Sequence, residues 1–365
     1  MRRKAVAMVV LGLMLTACSG QGKEEPAESA KGTNAAESST EAAKEETTTE
    51  PATEPSTGPA TTAQQGTESP EDKYPVIAFS GKEEDKIEIT QDSVYEGNRF
   101  ILLVEKGSVI PGNTAQLIEE VMKYEEEITH MSYSVTDYAE RSDARHEWFG
   151  PGFDDYPYNN DKLYILVCKD TDSGAIEWCE TNEVALYDTD FDREATNYQT
   201  LYHELGHALR LRQSPVLGKI LEEGIAVYLS YHIALKMNTP AWSMIQFVKI
   251  DGWENMYDDS ELYEDPVKAF ERINIAPRSA DQPDYQYGIR LIEFMTGEYG
   301  DDILLRLSEY AAAHPDFRSG ENEKIMDIIK AVTSDDVFER FSKWLEEGYP
   351  EFSKEVYEHL KNYGL

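Results

Sequence analysis

Residues 19–72 hold no aromatic residue and no valine, isoleucine, leucine or methionine, only Glu, Thr, Ser, Ala, Pro, Gly and a few other polar residues. Such a stretch cannot bury enough apolar surface to offset the entropy lost on ordering it, so it is expected to be a disordered tether. A folded core must come from residues 73–365, which carry all 22 tyrosines and every other aromatic residue. Of the formal net charge of −36, the tether carries −9 and the first eighteen residues +3, leaving −30 on residues 73–365. A surface of that sign cannot neutralise phosphates, which excludes nucleic acid as a partner. The three cysteines, none in CxxC spacing, leave histidine and carboxylate as the side chains able to hold a metal.

At the amino terminus, Arg2, Arg3 and Lys4 precede an apolar run over residues 5–15. The run is too short to span a bilayer and has the length of a signal-peptide h-region. Leu15-Thr16-Ala17-Cys18 follows and resembles the bacterial lipobox, which implies lipidation of Cys18 and removal of residues 1–17. The expected location is the bacterial cell membrane, with the chain anchored by lipid on the extracytoplasmic face and the tether at residues 19–72 giving a reach of about 40 Å.

Tracts rich in β-formers at 74–79, 86–90 and 99–104 predict strands, and 114–128 has helical periodicity. Residues 162–168 and 175–180 flank Asp172-Ser173-Gly174 and predict a hairpin, with a further strand at 183–187. In that hairpin Cys168 and Cys179 would face each other, and an oxidising compartment would join them. From residue 192 the pattern is helical, broken at Ser214-Pro215, at 238–240, over 258–283, at Gly300 and at 314–320. The fold class is α+β: a small mixed sheet in the first half, residues 73–190, and a helical half, residues 191–365.

Thr196 and Gln199 have capping-box spacing, which starts a helix just before His203-Glu204-Leu205-Gly206-His207. Histidines four residues apart share one helical face, and their imidazoles can take two corners of a tetrahedral Zn2+ site, with Glu204 beside them to handle the proton of a water. Ser214-Pro215 reads as the N-cap and first residue of a second helix. On that reading Glu223 lies about 12 Å into the second helix, while His207 and His203 lie about 7.5 and 13.5 Å back from the end of the first. A helical hairpin would bring all three to one height. Glu223 lies in the largely apolar run 220–229, where a carboxylate needs a partner; Glu222 is its rival.

Leu221-Glu222-Glu223-Gly224-Ile225-Ala226-Val227-Tyr228 resembles the EGxAxY element of peptidase MA-like gluzincins. The metzincin continuation is absent, since Arg210 and Gln213 stand where it needs glycine and histidine. The resemblance implies a zincin-like fold, one catalytic zinc held by His203, His207 and Glu223, Glu204 as general base, and a peptide or protein substrate. The aminopeptidase motif that grips a free amino terminus is absent and Val227 stands where thermolysin-like enzymes have aspartate, which leaves an endopeptidase, or a specialised hydrolase, as the expectation. Tyr285-Gln286-Tyr287-Gly288 resembles the YxxG element of related aminopeptidases, which implies Tyr285 as oxyanion donor, with Tyr287 the alternative. It also implies that 183–187 is the edge strand that pairs with substrate. The rival function is a lipoprotein that holds zinc or a partner without turnover, a role with no use for Glu204.

Three further features have ordinary readings. Asp188, Asp190 and Asp192 begin like a calcium loop, but Arg193 and Gln199 stand where that loop needs glycine and glutamate, so a solvated turn is expected. The loop over 153–161 rims a site or covers a core. His232 lies nine residues beyond Glu223 and should point away from the metal.

Overall fold

Along the central strands, side chains alternate between two apolar clusters with the period of two that a pleated strand dictates. Phe100, Leu102 and Val104, Leu163, Ile165 and Val167, and Val184 and Leu186 enter one cluster, while Ile101 and Leu103, Tyr164 and Leu166, and Ala185 enter the other. The computed structural model describes residues 73–134, 150–158, 161–169, 178–179, 182–191, 198–214, 216–239, 264–275, 283–314 and 322–362.

The strands are β1 (Lys86–Glu88), β2 (Ser93–Glu96), β3 (Phe100–Val104), β4 (Val109–Pro111), β5 (Leu163–Cys168), β6 (Trp178–Cys179) and β7 (Glu183–Tyr187). Strands β1 and β4 form a two-stranded ribbon, and the main sheet has the order β2-β3-β5-β7-β6. Its three inner strands are parallel, with Phe100 opposite Leu163 and Ile165 opposite Val184, while the outer strands β2 and β6 run antiparallel to their neighbours. Residues 74–79 make a single bridge, Val76 to Val94, rather than a strand, because Pro75 has no N–H to extend a ladder.

The expected hairpin is not formed, because β7 lies between β5 and β6. Cys168 is opposite Tyr187, and Cys179 is opposite Val184 on the far side of β7. Two strand spacings of about 4.8 Å already exceed the Cα separation a disulfide spans, and Cys168 is a free cysteine. The expected edge strand is likewise corrected: β7 is paired on both sides, and β6 is the outer strand.

The helices are α1 (Thr114–Thr129), α2 (Tyr198–Leu211), α3 (Lys219–Met237), α4 (Pro266–Ile275), α5 (Pro283–Tyr299), α6 (Ile303–Ala313), α7 (Asn322–Val332), α8 (Val337–Glu347) and α9 (Tyr349–Lys361). Helix α1 crosses between parallel β3 and β5 and buries Leu117, Ile118, Val121 and Met122 in the larger cluster, as do Leu201, Leu205, Ala208 and Leu209 of α2. Helix α4 occupies part of the predicted loop 258–283: Asp265 Oδ1 accepts the Lys268 N–H at 3.1 Å, and Ala269, Phe270 and Ile273 form a buried stripe.

Helix α3 begins at Lys219, not at Pro215. Gly218 precedes it with φ 84° and ψ 153°, a conformation open to glycine alone. Helices α3 and α5 cross at Gly224 and Gly288, where a Cβ on Gly224 would fall 2.6 Å from the Gly288 Cα and carbonyl carbon. The two backbones are thus in contact.

Candidate metal centre

Helix α2 places His203 and His207 one turn apart on the same face, and their Nε2 atoms are 3.0 Å from each other. Helix α3 brings in Glu223, whose Oε2 lies 3.2 Å from His203 Nε2 and 3.3 Å from His207 Nε2. Because α3 starts late and α2 ends at Leu211, Glu223 and His207 each sit about 6 Å from the turn that joins the helices. The helical hairpin thus brings the two ligands to one height on shorter arms than Ser214-Pro215 predicts.

These separations test whether a metal fits. A tetrahedral zinc site with ligand distances of about 2.0–2.1 Å puts its donor atoms about 3.3–3.4 Å apart, close to the 3.0–3.3 Å found. Among the described residues this is the group of three His, Cys, Asp or Glu side chains spaced to hold an ion. Burial pushes the Glu223 carboxyl up, but the His207 and His203 imidazoles outweigh it and hold the group well below the usual carboxylate range. The donor chemistry fits: two imidazole nitrogens and one carboxylate oxygen converge, and the side chain of His203 keeps 12% exposure while Glu223 has none. The centre therefore opens on its His203 side.

Glu204 is fully buried on the same turn, about 100° around the helix from His203. Tyr285, in the first turn of α5, lays its ring parallel to His203, with centroids 5.5 Å apart and planes at 3°. The Gly224–Gly288 crossing makes this approach possible, since it lets α5 touch α3 one residue from Glu223 and three from Tyr285. Tyr287 points elsewhere: it is fully buried, packs on Phe270 and Phe341, and donates its hydroxyl to the Pro266 carbonyl at 2.7 Å.

Glu222 has a different partner. Arg210 Nε donates to its Oε2 at 2.8 Å, Arg210 Nη2 lies 2.6 Å from its Oε1, and the same Oε1 accepts the Leu217 N–H at 2.6 Å. Of the two adjacent glutamates, only Glu223 meets the histidines. His232 faces Glu293 at 2.7 Å, away from the centre. The Asp188 and Asp190 carboxylates accept the backbone N–H groups of Val109 and Tyr187, and Asp190 is buried; the turn is a structural tie rather than a solvated loop. Residues 153–158 cover the smaller apolar cluster through Phe153, Tyr156 and Tyr158. Cys18, the tether, Thr196 and Asp192 lie outside the described residues.

The support behind α2 comes from residues distant in the chain. The Tyr133 hydroxyl donates to the Leu205 carbonyl, between the two histidines, at 2.7 Å and also contacts Glu125 Oε2. One phenolic proton cannot serve both acceptors. The arrangement is complete with Glu125 protonated and donating to Tyr133 Oη, and burial pushes the Glu125 carboxyl well above its usual range in agreement. Arg212 donates to the Tyr133 carbonyl at 2.6 Å and to Asn182 Oδ1 at 3.0 Å. Tyr133 and Glu125 lie 72 or more residues from Leu205 along the chain, so only Arg212, a cation that follows Leu211 at the end of α2, gave a local signal.

No protein-family model and no curated protein matches the chain. Among solved structures, a functionally unknown conserved protein from Bacillus anthracis shares 14% identity at a TM-score of 0.39, over 73% of this chain and 51% of that one. An M1 zinc metallopeptidase from Deinococcus radiodurans shares 13% at a TM-score of 0.35, over 73% and 52%. Leukotriene A4 hydrolase from Saccharomyces cerevisiae shares 14% at a TM-score of 0.36, over 68% and 38%. The chain spans about half the length of the first two, or less for the third.

Proposed function

We propose that this chain is a zinc-dependent peptidase, held outside the cytoplasmic membrane by lipid on Cys18. The observation that carries the reading is the convergence of His203 Nε2, His207 Nε2 and Glu223 Oε2 within 3.0–3.3 Å, with a glutamate beside the first ligand and a phenol stacked on it. His203, His207 and Glu223 hold the ion, which when bound supplies Lewis acidity toward a water and the scissile carbonyl. Glu204 takes the proton of the attacking water and passes it to the leaving amine. Tyr285 donates its hydroxyl to the oxyanion as charge develops. The exposed side of His203 is the route by which an extended peptide reaches these groups.

Two substitutions test the assignment. His203→Ala should lose zinc and hydrolysis together. Glu204→Gln should keep zinc while turnover falls about 10²-fold or more, the scale of a general base. Equal zinc in wild type and Glu204→Gln, with neither cleaving any member of a broad peptide library, would sink the enzyme assignment in favour of a binding module. For the anchor, Cys18→Ala should move the protein from the membrane to the soluble fraction with its activity intact, and unchanged retention rejects lipidation.

A further inference from the structure

We infer that Arg210 and Glu222 are positioning residues that set the metal affinity of the adjoining centre, an inference that rests on the zinc reading above. Arg210 is three residues beyond His207 on α2, and Glu222 immediately precedes Glu223 on α3, so the pair joins the two ligand-bearing helices within one turn of the ligands. Both side chains are buried, Arg210 to 1% exposure and Glu222 to 8%.

Apolar packing alone cannot do this job. Gly206 lets α2 approach α3, where a Cβ would lie 3.0 Å from Leu229 Cδ1 and 3.6 Å from the Ala226 Cα. That contact fixes how close the helices come. It is non-directional, and it tolerates rotation of α3 about its own axis. A rotation moves Glu223 Oε2 off its line to the two imidazoles, and zinc sites tolerate only about 0.2 Å in ligand distance.

Directional contacts remove that freedom. Arg210 Nε donates to Glu222 Oε2 at 2.8 Å, and Nη2 lies within ion-pair distance of Oε1 at 2.6 Å. Arg210 Nη1 also donates to Ser214 Oγ at 2.5 Å and to the Ser214 carbonyl at 3.2 Å. Glu222 Oε1 takes the Leu217 N–H at 2.6 Å. Both helices and both ends of the intervening turn are therefore tied to one ion pair. Ser214 lies five residues before α3, which has Gly218 at its N-cap, and its hydroxyl instead accepts from Arg210. Two consecutive buried glutamates thus divide the work, one satisfied by a guanidinium and the other left to face the metal.

The test compares full-length proteins by zinc titration against a competing chelator, by the visible spectrum of the cobalt form and by unfolding without metal. Arg210→Lys keeps the charge and loses the planar fork. The pair Arg210→Gln with Glu222→Gln removes both charges, so that neither is stranded if a single neutralisation fails to fold. Zinc affinity is expected to fall about 10–100-fold, as for partners that orient metal ligands, with an altered cobalt spectrum, in either variant that retains its helical circular dichroism. Wild-type affinity and spectrum in Arg210→Lys, or in the folded double variant, beside loss of metal in His203→Ala, overturns the positioning role and leaves the zinc reading standing. A wild type that takes up no zinc overturns both.

Discussion

Gly224→Ala is a substitution on which two physical arguments predict opposite signs. In a solvated helix, glycine to alanine stabilises by about 1 kcal/mol, because alanine loses less backbone entropy on folding. At the α3–α5 crossing the new Cβ would sit 2.6 Å from the Gly288 Cα and carbonyl carbon. Carbon atoms pack at about 3.5–4.0 Å, so the helices must part by about 1 Å. Backbone cannot rotate aside as a side chain can, which puts the penalty near the top of the range for overpacking, about 3 kcal/mol. The net expectation is a loss of about 2 kcal/mol. With an unfolding entropy of about 2.1 cal/mol/K per residue over residues 73–365, this lowers Tm by about 3 °C. Gly297, exposed on the same α5 with open space for 4 Å around the position a Cβ would take, is the control, and Gly297→Ala should raise Tm by about 1–2 °C. Urea unfolding of both variants without metal reads the two signs directly. If both shift stability the same way, the backbone contact is not what sets the crossing.

Tyr285→Phe should lower kcat about 10²-fold with little change in stability, whereas Tyr287→Phe, which strands the Pro266 carbonyl, should cost about 1 kcal/mol of stability and leave kcat alone; paired kinetics and unfolding would expose a reversed assignment. Because the folded carboxyl of Glu125 titrates above its unfolded value, its stabilising contribution is complete below the unfolded pKa and is lost as pH rises toward the folded one. Glu125→Gln should therefore gain on wild type as pH is raised from about 5 to 8, since about 4.3 is the unfolded reference, and a pH-independent difference in urea midpoints refutes the protonated carboxyl. Non-reducing peptide mapping should recover Cys168 as a thiol that alkylates slowly at pH 8, since burial and neighbouring Glu105 push it up to about 12; a peptide linking Cys168 to Cys179 would contradict the strand order.

The parts of this molecule that could be read from sequence are those set by local periodicity. Strands β3, β5 and β7 and helix α1 emerge where residue type and spacing predict them, and two histidines four apart must share a helical face. What was missed depends on partners distant in the chain. The turn signal at Ser173-Gly174 suggested a local pairing, but parallel insertion of β7 beside β5 placed a strand between the expected partners. Ser214-Pro215 has the chemistry of a helix start, yet α3 begins only at Lys219, after Gly218, and the serine hydroxyl accepts from Arg210. The choice of Glu223 over Glu222, and of Tyr285 over Tyr287, is a matter of which way each side chain leaves its helix. The sequence elements that favoured Glu223 and Tyr285 include Gly224 and Gly288, the glycines of the α3–α5 crossing, whereas the Arg210 contact that occupies Glu222 belongs to no such element.

The two faces of the sheet differ in how firmly they are held shut. One carries α1, α2 and the helices beyond; among the described residues the other is closed by 150–158 and Tyr74 over six further buried residues. That cover is pinned by two tyrosine hydroxyls, Tyr74 to the Gly152 carbonyl and Tyr164 to the Pro157 carbonyl, each at 2.9 Å. Residues 150–158 contribute no strand or α-helix to the fold, so their amides are expected to exchange with solvent before those of the sheet and of the helices on the opposite face. The metal ligands are on α2 and α3, behind the other face. The thin side can breathe, or be nicked by a protease, while the centre stays assembled.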